Sequence, residues 1–292
     1  MQFTIKSREA SAVLGINGAM LNSLKKDGIE YLWQPDGVHW SGQAPVCFPI
    51  VGVIPEGKGY AFGRECNMKR HGVARISPFE VFEQLDNSIT FIQKSSEETK
   101  KAFPFDYELK IKYTIIGSTV TNEYIVTNTG SEKLPFAIGG HPAFNCPLCE
   151  GESFEDYKVV FDKKLKQGGY LRPDHATGII DISKRFSEFE NCDTIDLKHS
   201  LFEELDSMVF DNINSKSAKL IGKKGRGVLI EYQDMDNLLV WSDVGEPNFV
   251  ALEPWTGISN CTDESNKIED KRGITVLYPN ETASFKFKIT LI

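Results

Sequence analysis

Basic residues are the minority in this 292-residue chain: 33 lysines and arginines stand against 41 aspartates and glutamates, a formal net charge of −8. The cations are scattered and form no stripe suited to a phosphate backbone, so no nucleic-acid partner is expected. No apolar run approaches the roughly 20 residues that span a bilayer as a helix, and no membrane association is expected either. The opening Met1-Gln2-Phe3-Thr4-Ile5-Lys6 lacks the basic start and apolar stretch of a signal peptide, which predicts a soluble, cytoplasmic protein. In that compartment Cys47, Cys66, Cys146, Cys149, Cys192 and Cys261 are expected as thiols rather than disulfides. Cys146 and Cys149 form a single CxxC, which lacks the second half of a zinc site and points to a structural or incidental role.

Gly/Ser-rich linkers, low-complexity tracts and internal repeats are also missing, so one unit over residues 1–292 is expected. Helical periodicity is scarce, with a short helix over 197–205 and a turn over 95–101 as its best candidates. What recurs is alternation with period two. Tyr107, Leu109, Ile111, Tyr113 and Ile115 are apolar, and Glu108, Lys110, Lys112 and Thr114 between them are polar, the mark of a strand with one buried face. Gly117-Ser118 turns the chain into a return strand through Val120, Tyr124 and Val126 that ends at Asn128-Thr129-Gly130. Residues 79–91 repeat the plan around Asp86-Asn87, and Phe285, Phe287, Ile289 and Leu291 form a closing strand. Many short strands and few helices predict an all-β protein built as a large antiparallel β-sandwich. Strand edges can pair between chains, which leaves monomer and homodimer both open.

Three segments break the alternation and set polar groups in apolar surroundings, where function tends to override local rules. The first runs from Phe48-Pro49-Ile50-Val51-Gly52 to His71-Gly72-Val73-Ala74-Arg75. In the second, a strand arrives at Gly139-Gly140, where two glycines permit an unusual backbone path, and His141-Pro142-Ala143-Phe144 follows. The third, Val250-Ala251-Leu252-Glu253-Pro254-Trp255, ends an apolar strand on a carboxylate. A carboxylate and an imidazole are each tunable toward neutral pH and suit paired proton transfers, each typically worth about 10²–10⁴-fold. Apolar surroundings that include Trp255 would raise the pKa of Glu253 and make it a better base.

In these segments, taken in order and at their wide spacing, the sequence resembles the aldose 1-epimerase (galactose mutarotase-like) family, and within it the LacX-type branch. The likeness extends from Glu30-Tyr31-Leu32-Trp33-Gln34, expected as an early strand, to the closing strand. The resemblance implies a galactose mutarotase-like supersandwich that binds a small-molecule sugar, an aldohexose or a relative, in an open cleft. It further implies interconversion of the sugar's two anomers by ring opening and closing, with no metal and no organic cofactor. Carried over by motif, Glu253 is the general base, His141 the general acid, and His71 sits beside the ring and steadies charge. Asp206 is similar to the family's hydroxyl-binding aspartate, by a looser match. Arg75, Trp255 and Phe144 are further candidates to line the cleft.

Family members often carry a basic residue just after the Phe-Pro-x-x-Gly turn. Here that position is Val53, with Arg75 and Lys58 as candidates to take its place. Lys69, Arg70 and Arg75 keep a sugar phosphate in play as an alternative substrate. Other readings stay open at this stage. Glu253 can be a structural partner of an arginine, Asp206 a turn residue, and the protein a non-catalytic carbohydrate-binding module. His71, His141 and Glu253 also make a possible metal ligand set. His39, His175 and His199 lie in no comparable context and read as surface or loop residues, and Trp33, Trp40 and Trp241 as core or rim aromatics.

Overall fold

The hairpin read from alternation is the backbone of the larger sheet. In the computed structural model, which describes residues 1–166, 169–203 and 207–292, strands Tyr107–Ile116 and Thr119–Asn128 pair antiparallel from Tyr107↔Asn128 to Ile116↔Thr119. Leu109, Ile111 and Ile115 face Val126, Tyr124 and Val120 across the ladder, and all six are buried. Each such side chain contributes about 1.5–3 kcal/mol by leaving water. The hairpin belongs to a nine-stranded antiparallel sheet in which the closing strand Thr282–Leu291 lies between Thr119–Asn128 and Gly227–Glu231.

Residues 79–91 do form the second hairpin, but its outer strand Glu80–Leu85 is the edge of the sheet and is exposed along its whole length. Its apolar alternation is therefore not covered: Val81, Phe82 and Leu85 all reach solvent, and Lys110 Nζ sits 4.4 Å above the Phe82 ring. Of the expected 197–205 helix, Ser200–Glu203 is helical and residues 204–205 lie outside the described residues. The expected turn over 95–101 is Glu97–Lys100, one turn closed by a Ser96/Thr99 capping box. The early strand is shorter than the sequence suggests, ending at Glu30, with Leu32 making an isolated bridge to Phe144.

A six-stranded sheet bears two of the three segments that break the alternation, and the first begins where its strand Val46–Cys47 ends. Its strands are β1 (Val46–Cys47), β2 (Gly139–Gly140), β3 (Ala143–Asn145), β4 (Ser207–Phe210), β5 (Asn237–Trp241) and β6 (Phe249–Trp255). The central strand β6 is buried at every position, so side chains on both of its faces are enclosed. One face packs into the main core: Val250 and Leu252 join Leu238, Val240, Met208 and Phe144 there. The opposite face carries Ala251, Glu253 and Trp255 beside Leu239, Val209 and Trp241. Period-two alternation thus separates core from site within one strand.

The Gly139-Gly140 pair is ordinary extended backbone rather than the unusual path expected. Its purpose is space on both sides. A Cβ at Gly139 would stand 2.3 Å from the Trp255 indole, and one at Gly140 would stand 2.6 Å from the Phe287 ring of the nine-stranded sheet. A Gly139→Ala substitution is therefore expected to destabilise by about 1–3 kcal/mol through overpacking, lowering the melting temperature by roughly 2–5 °C, as read by scanning calorimetry.

Candidate active site

Register brings the histidine to the carboxylate. Gly139 pairs with Trp255 and Ala143 with Ala251, two pairs on one antiparallel register whose midpoint sets His141 opposite Glu253. Residues directly opposite on the same face have Cβ atoms about 4.5–5.5 Å apart, close enough for side-chain contact. His141 Nε2 lies 3.2 Å from Glu253 Oε2, and both side chains are more than nine-tenths buried. Backbone bonds hold the segment from both flanks: His141 N donates to Pro45 O at 3.1 Å, and Leu252 N donates to Pro142 O at 3.2 Å. At the end of β6, Asn237 Nδ2 donates to the carbonyls of Trp255 and Thr256.

His71 arrives by another route. Its backbone is left-handed at φ 66°, a conformation that costs a non-glycine residue about 1–3 kcal/mol. Three hydrogen bonds hold it there. His71 N donates to Gly52 O at 2.7 Å, Phe48 N donates to His71 O at 3.2 Å, and Gly52 N donates to His71 Nδ1 at 3.1 Å. Because an amide N–H only donates, Nδ1 is the acceptor and the proton of the neutral ring sits on Nε2. The His71 ring meets His141 edge to face at 5.4 Å and Trp255 at 5.4 Å.

These groups line an open cavity of about 200 Å³, which also touches Trp40, Trp241, Arg70, Arg75 and Ser207. Burial, followed by the positive charges of Arg75 and Arg70, drives the His141 imidazole down to about 3. Burial also pushes His71 well below its ordinary value, helped by His141, Arg75 and Arg70. Both rings are therefore neutral. Among the described residues, no three His, Cys, Asp or Glu side chains are grouped to hold a metal ion.

Of the residues singled out in the sequence, the structure brings Glu253, His141, His71, Arg75 and Trp255 to this cavity. Trp255 is buried in its wall, and its Nε1 donates to Gly140 O at 3.1 Å. Phe144 is a correction. It stands one residue out of phase with His141, on the other face of the sheet, and is wholly buried in the main core. Asp206 lies outside the described residues; its neighbour Ser207 lines the cavity.

Two aromatics read as core or rim belong to the site instead. Trp40 stacks on His141 with ring centres 4.8 Å apart, and Trp241 meets His141 edge to face at 5.2 Å. Trp241 was open to discovery from the alternation of β5, which sets it on the Glu253 face; Trp40, on a loop, gives no periodic signal. Arg70 was also undervalued. A Cβ at Gly178 would lie 2.9 Å from Arg70 Nη2 and 3.2 Å from the Val53 methyls, so the Arg70 guanidinium lies near Val53, the position where the resemblance leads one to expect a basic side chain. Lys58 is exposed on the strand Lys58–Ala61.

The fold and site define a galactose mutarotase-like protein. The structure superimposes with a TM-score of 0.92 on a galactose mutarotase related enzyme from Lactobacillus acidophilus, 29% identical, covering all of this chain and 97% of that one. A galactose mutarotase-like protein from Lactobacillus casei matches over the whole of both chains at a TM-score of 0.87 and 27% identity. The chain belongs to the aldose 1-epimerase family, whose model matches residues 1–290. It is 36% identical, over the full length of both chains, to the plasmid-encoded protein LacX of Lactococcus lactis subsp. lactis.

The buried neutral histidines make stability depend on pH. The unfolded chain protonates its histidines near pH 6.5, whereas the folded state resists protonation down to about 3 at His141. The stability is complete above roughly pH 6.5 and is lost on acidification, with a slope approaching about 1.4 kcal/mol per pH unit for each such group. His71→Asn, which tolerates the left-handed backbone, is expected to lose less melting temperature than wild type between about pH 7.5 and 5.5. Parallel thermal melts across that range check it.

Proposed function

We propose that the protein interconverts the α and β anomers of an aldose by acid–base ring opening and closing. The observation that carries the reading is the in-register contact of Glu253 with His141 in the floor of an open cavity. In the reaction, Glu253 takes the proton of the anomeric hydroxyl, the C1–O5 bond breaks as C1 becomes an aldehyde, and His141 protonates O5. Rotation about C1–C2 and reversal of both transfers close the ring as the other anomer.

His141, neutral in the free protein, takes up a proton as the sugar binds; the adjacent carboxylate favours that imidazolium over a lone buried imidazole, and burial makes it a strong proton donor. His71, with its proton on Nε2, donates a hydrogen bond to a ring or hydroxyl oxygen. Trp40, Trp241 and Trp255 offer apolar faces to the sugar ring. Hydroxyl recognition falls to Arg75 and to Asp206, the latter on the family resemblance. No metal or organic cofactor enters this scheme.

Polarimetric relaxation of fresh α-D-galactose and α-D-glucose tests it. Glu253→Gln and His141→Asn are each expected to lower kcat by about 10²–10⁴-fold while circular dichroism stays that of the wild type. Full activity in either variant would overturn the assignment.

A second substrate reading has its own observation. Arg70 and Arg75 both reach the cavity, and neither pairs with a carboxylate among the described residues. Two guanidiniums that pair with no carboxylate among the described residues suit a phosphorylated sugar. If the substrate is a hexose 6-phosphate, it outcompetes the free hexose in the same assay, and Arg70→Met raises KM for the phosphate alone.

A further inference from the structure

Trp40 reaches His141 from a loop that is fastened on two sides. The indole stacks on the His141 ring at 4.8 Å and 25°, and braces edge-on against Trp241 at 5.1 Å. On its inner side the loop is tied by Trp33 Nε1, which donates to Trp40 O at 2.9 Å. On its outer side the neighbouring His39 bridges two segments. Its Nδ1 lies 2.7 Å from Asp36 Oδ2, and its Nε2 lies 2.9 Å from the carbonyl oxygen of Gly245, in the connection between β5 and β6.

Both nitrogens of His39 face atoms that only accept. Gly245 O is a carbonyl. Asp36 also accepts the backbone N–H groups of Val38 and His39, each at 2.9 Å, which together with the His39 ring hold its carboxyl far below the usual range. A neutral imidazole has one N–H and one lone pair, so it satisfies only one of these acceptors and turns its lone pair on the other. The imidazolium satisfies both.

We infer that protonated His39 is a latch that holds Trp40 against His141, and that His39 is thereby a positioning residue whose deprotonation frees the indole and lowers turnover. The effect on turnover rests on the epimerase reading above, whereas the latch does not. The charged groups that face His39 are Asp36 on its own loop and Asp243 on the β5–β6 connection. Both are acidic and favour the imidazolium. The Asp36 and Gly245 hydrogen bonds, with these charges, raise His39 above its ordinary value, so the latch is closed on the acid side of that raised midpoint and opens on the alkaline side. The charge-assisted contact with Asp36 is partly exposed, which lets the proton exchange with solvent without unfolding.

The test uses the full chain labelled with 5-fluorotryptophan, with Trp40→Phe assigning the Trp40 fluorine resonance, titrated from about pH 5.5 to 9.5 while the His39 ring is followed by carbon-13 NMR. The Trp40 resonance is expected to shift with the His39 midpoint, above about 6.5. Through the same midpoint kcat is expected to fall several-fold, with a smaller change in KM. His39→Gln has one donor position and should show the low kcat at every pH, without the step. His39→Arg donates at every pH, so it should keep the high kcat and move the step out of range. A Trp40 resonance that ignores the His39 titration, or a His39→Gln profile matching wild type, overturns the latch. If no sugar is turned over, cotitration of Trp40 with His39 still establishes the latch, and it is the epimerase reading that fails.

Discussion

The site depends on one register. Because Gly139 opposes Trp255 and Ala143 opposes Ala251, His141 has no choice but to oppose Glu253, and both must emerge on the same face. A slip of one residue would send His141 into the main core and bring Phe144 to the cavity. The glycine pair protects this alignment from both sides, since a side chain at either position would strike Trp255 or Phe287. Packing and chemistry are thus secured by the same few residues, with the inner face of β6 anchoring the sheet and the outer face carrying the reactive groups.

The long hairpin was fully legible in the sequence, because a strand buried on one face writes its burial into a period of two. The edge strand Glu80–Leu85 was misjudged for a related reason: alternation reports amphipathicity, not whether anything covers the apolar side. For the site, the local rule-breaking at His71, His141 and Glu253 was visible, and the structure gathers all three in one cavity. The meeting of His141 with Glu253 was not visible, since it follows from pairing between segments about a hundred residues apart. Phe144, a candidate to line the cleft, stands an odd number of residues from His141, and in a strand such a residue points the other way.

What the sequence hid most completely was the loop aromatic. Trp40 sits in a stretch without periodicity, and only the contacts of Trp33, His39 and Gly245 explain why it stays over His141. Arg70 was obscured differently. Its neighbour Arg75 lies in a recognisable motif, while Arg70 gains its relevance from converging with Val53 on Gly178, a residue more than a hundred positions away.

The position of the strand Thr282–Leu291 has a further consequence, for the order in which the protein can be made. It lies between Thr119–Asn128 on one side and Gly227–Glu231 on the other, so it joins two blocks of the nine-stranded sheet rather than trimming an edge. Until it docks, each block presents an open row of amide and carbonyl groups, and the shared core is incomplete. Contacts this distant along the chain are entropically expensive to close and slow to form. The half-built sheet is therefore the state in which newly made chains are most exposed to pairing with one another, and the one a cellular chaperone would have most reason to shield.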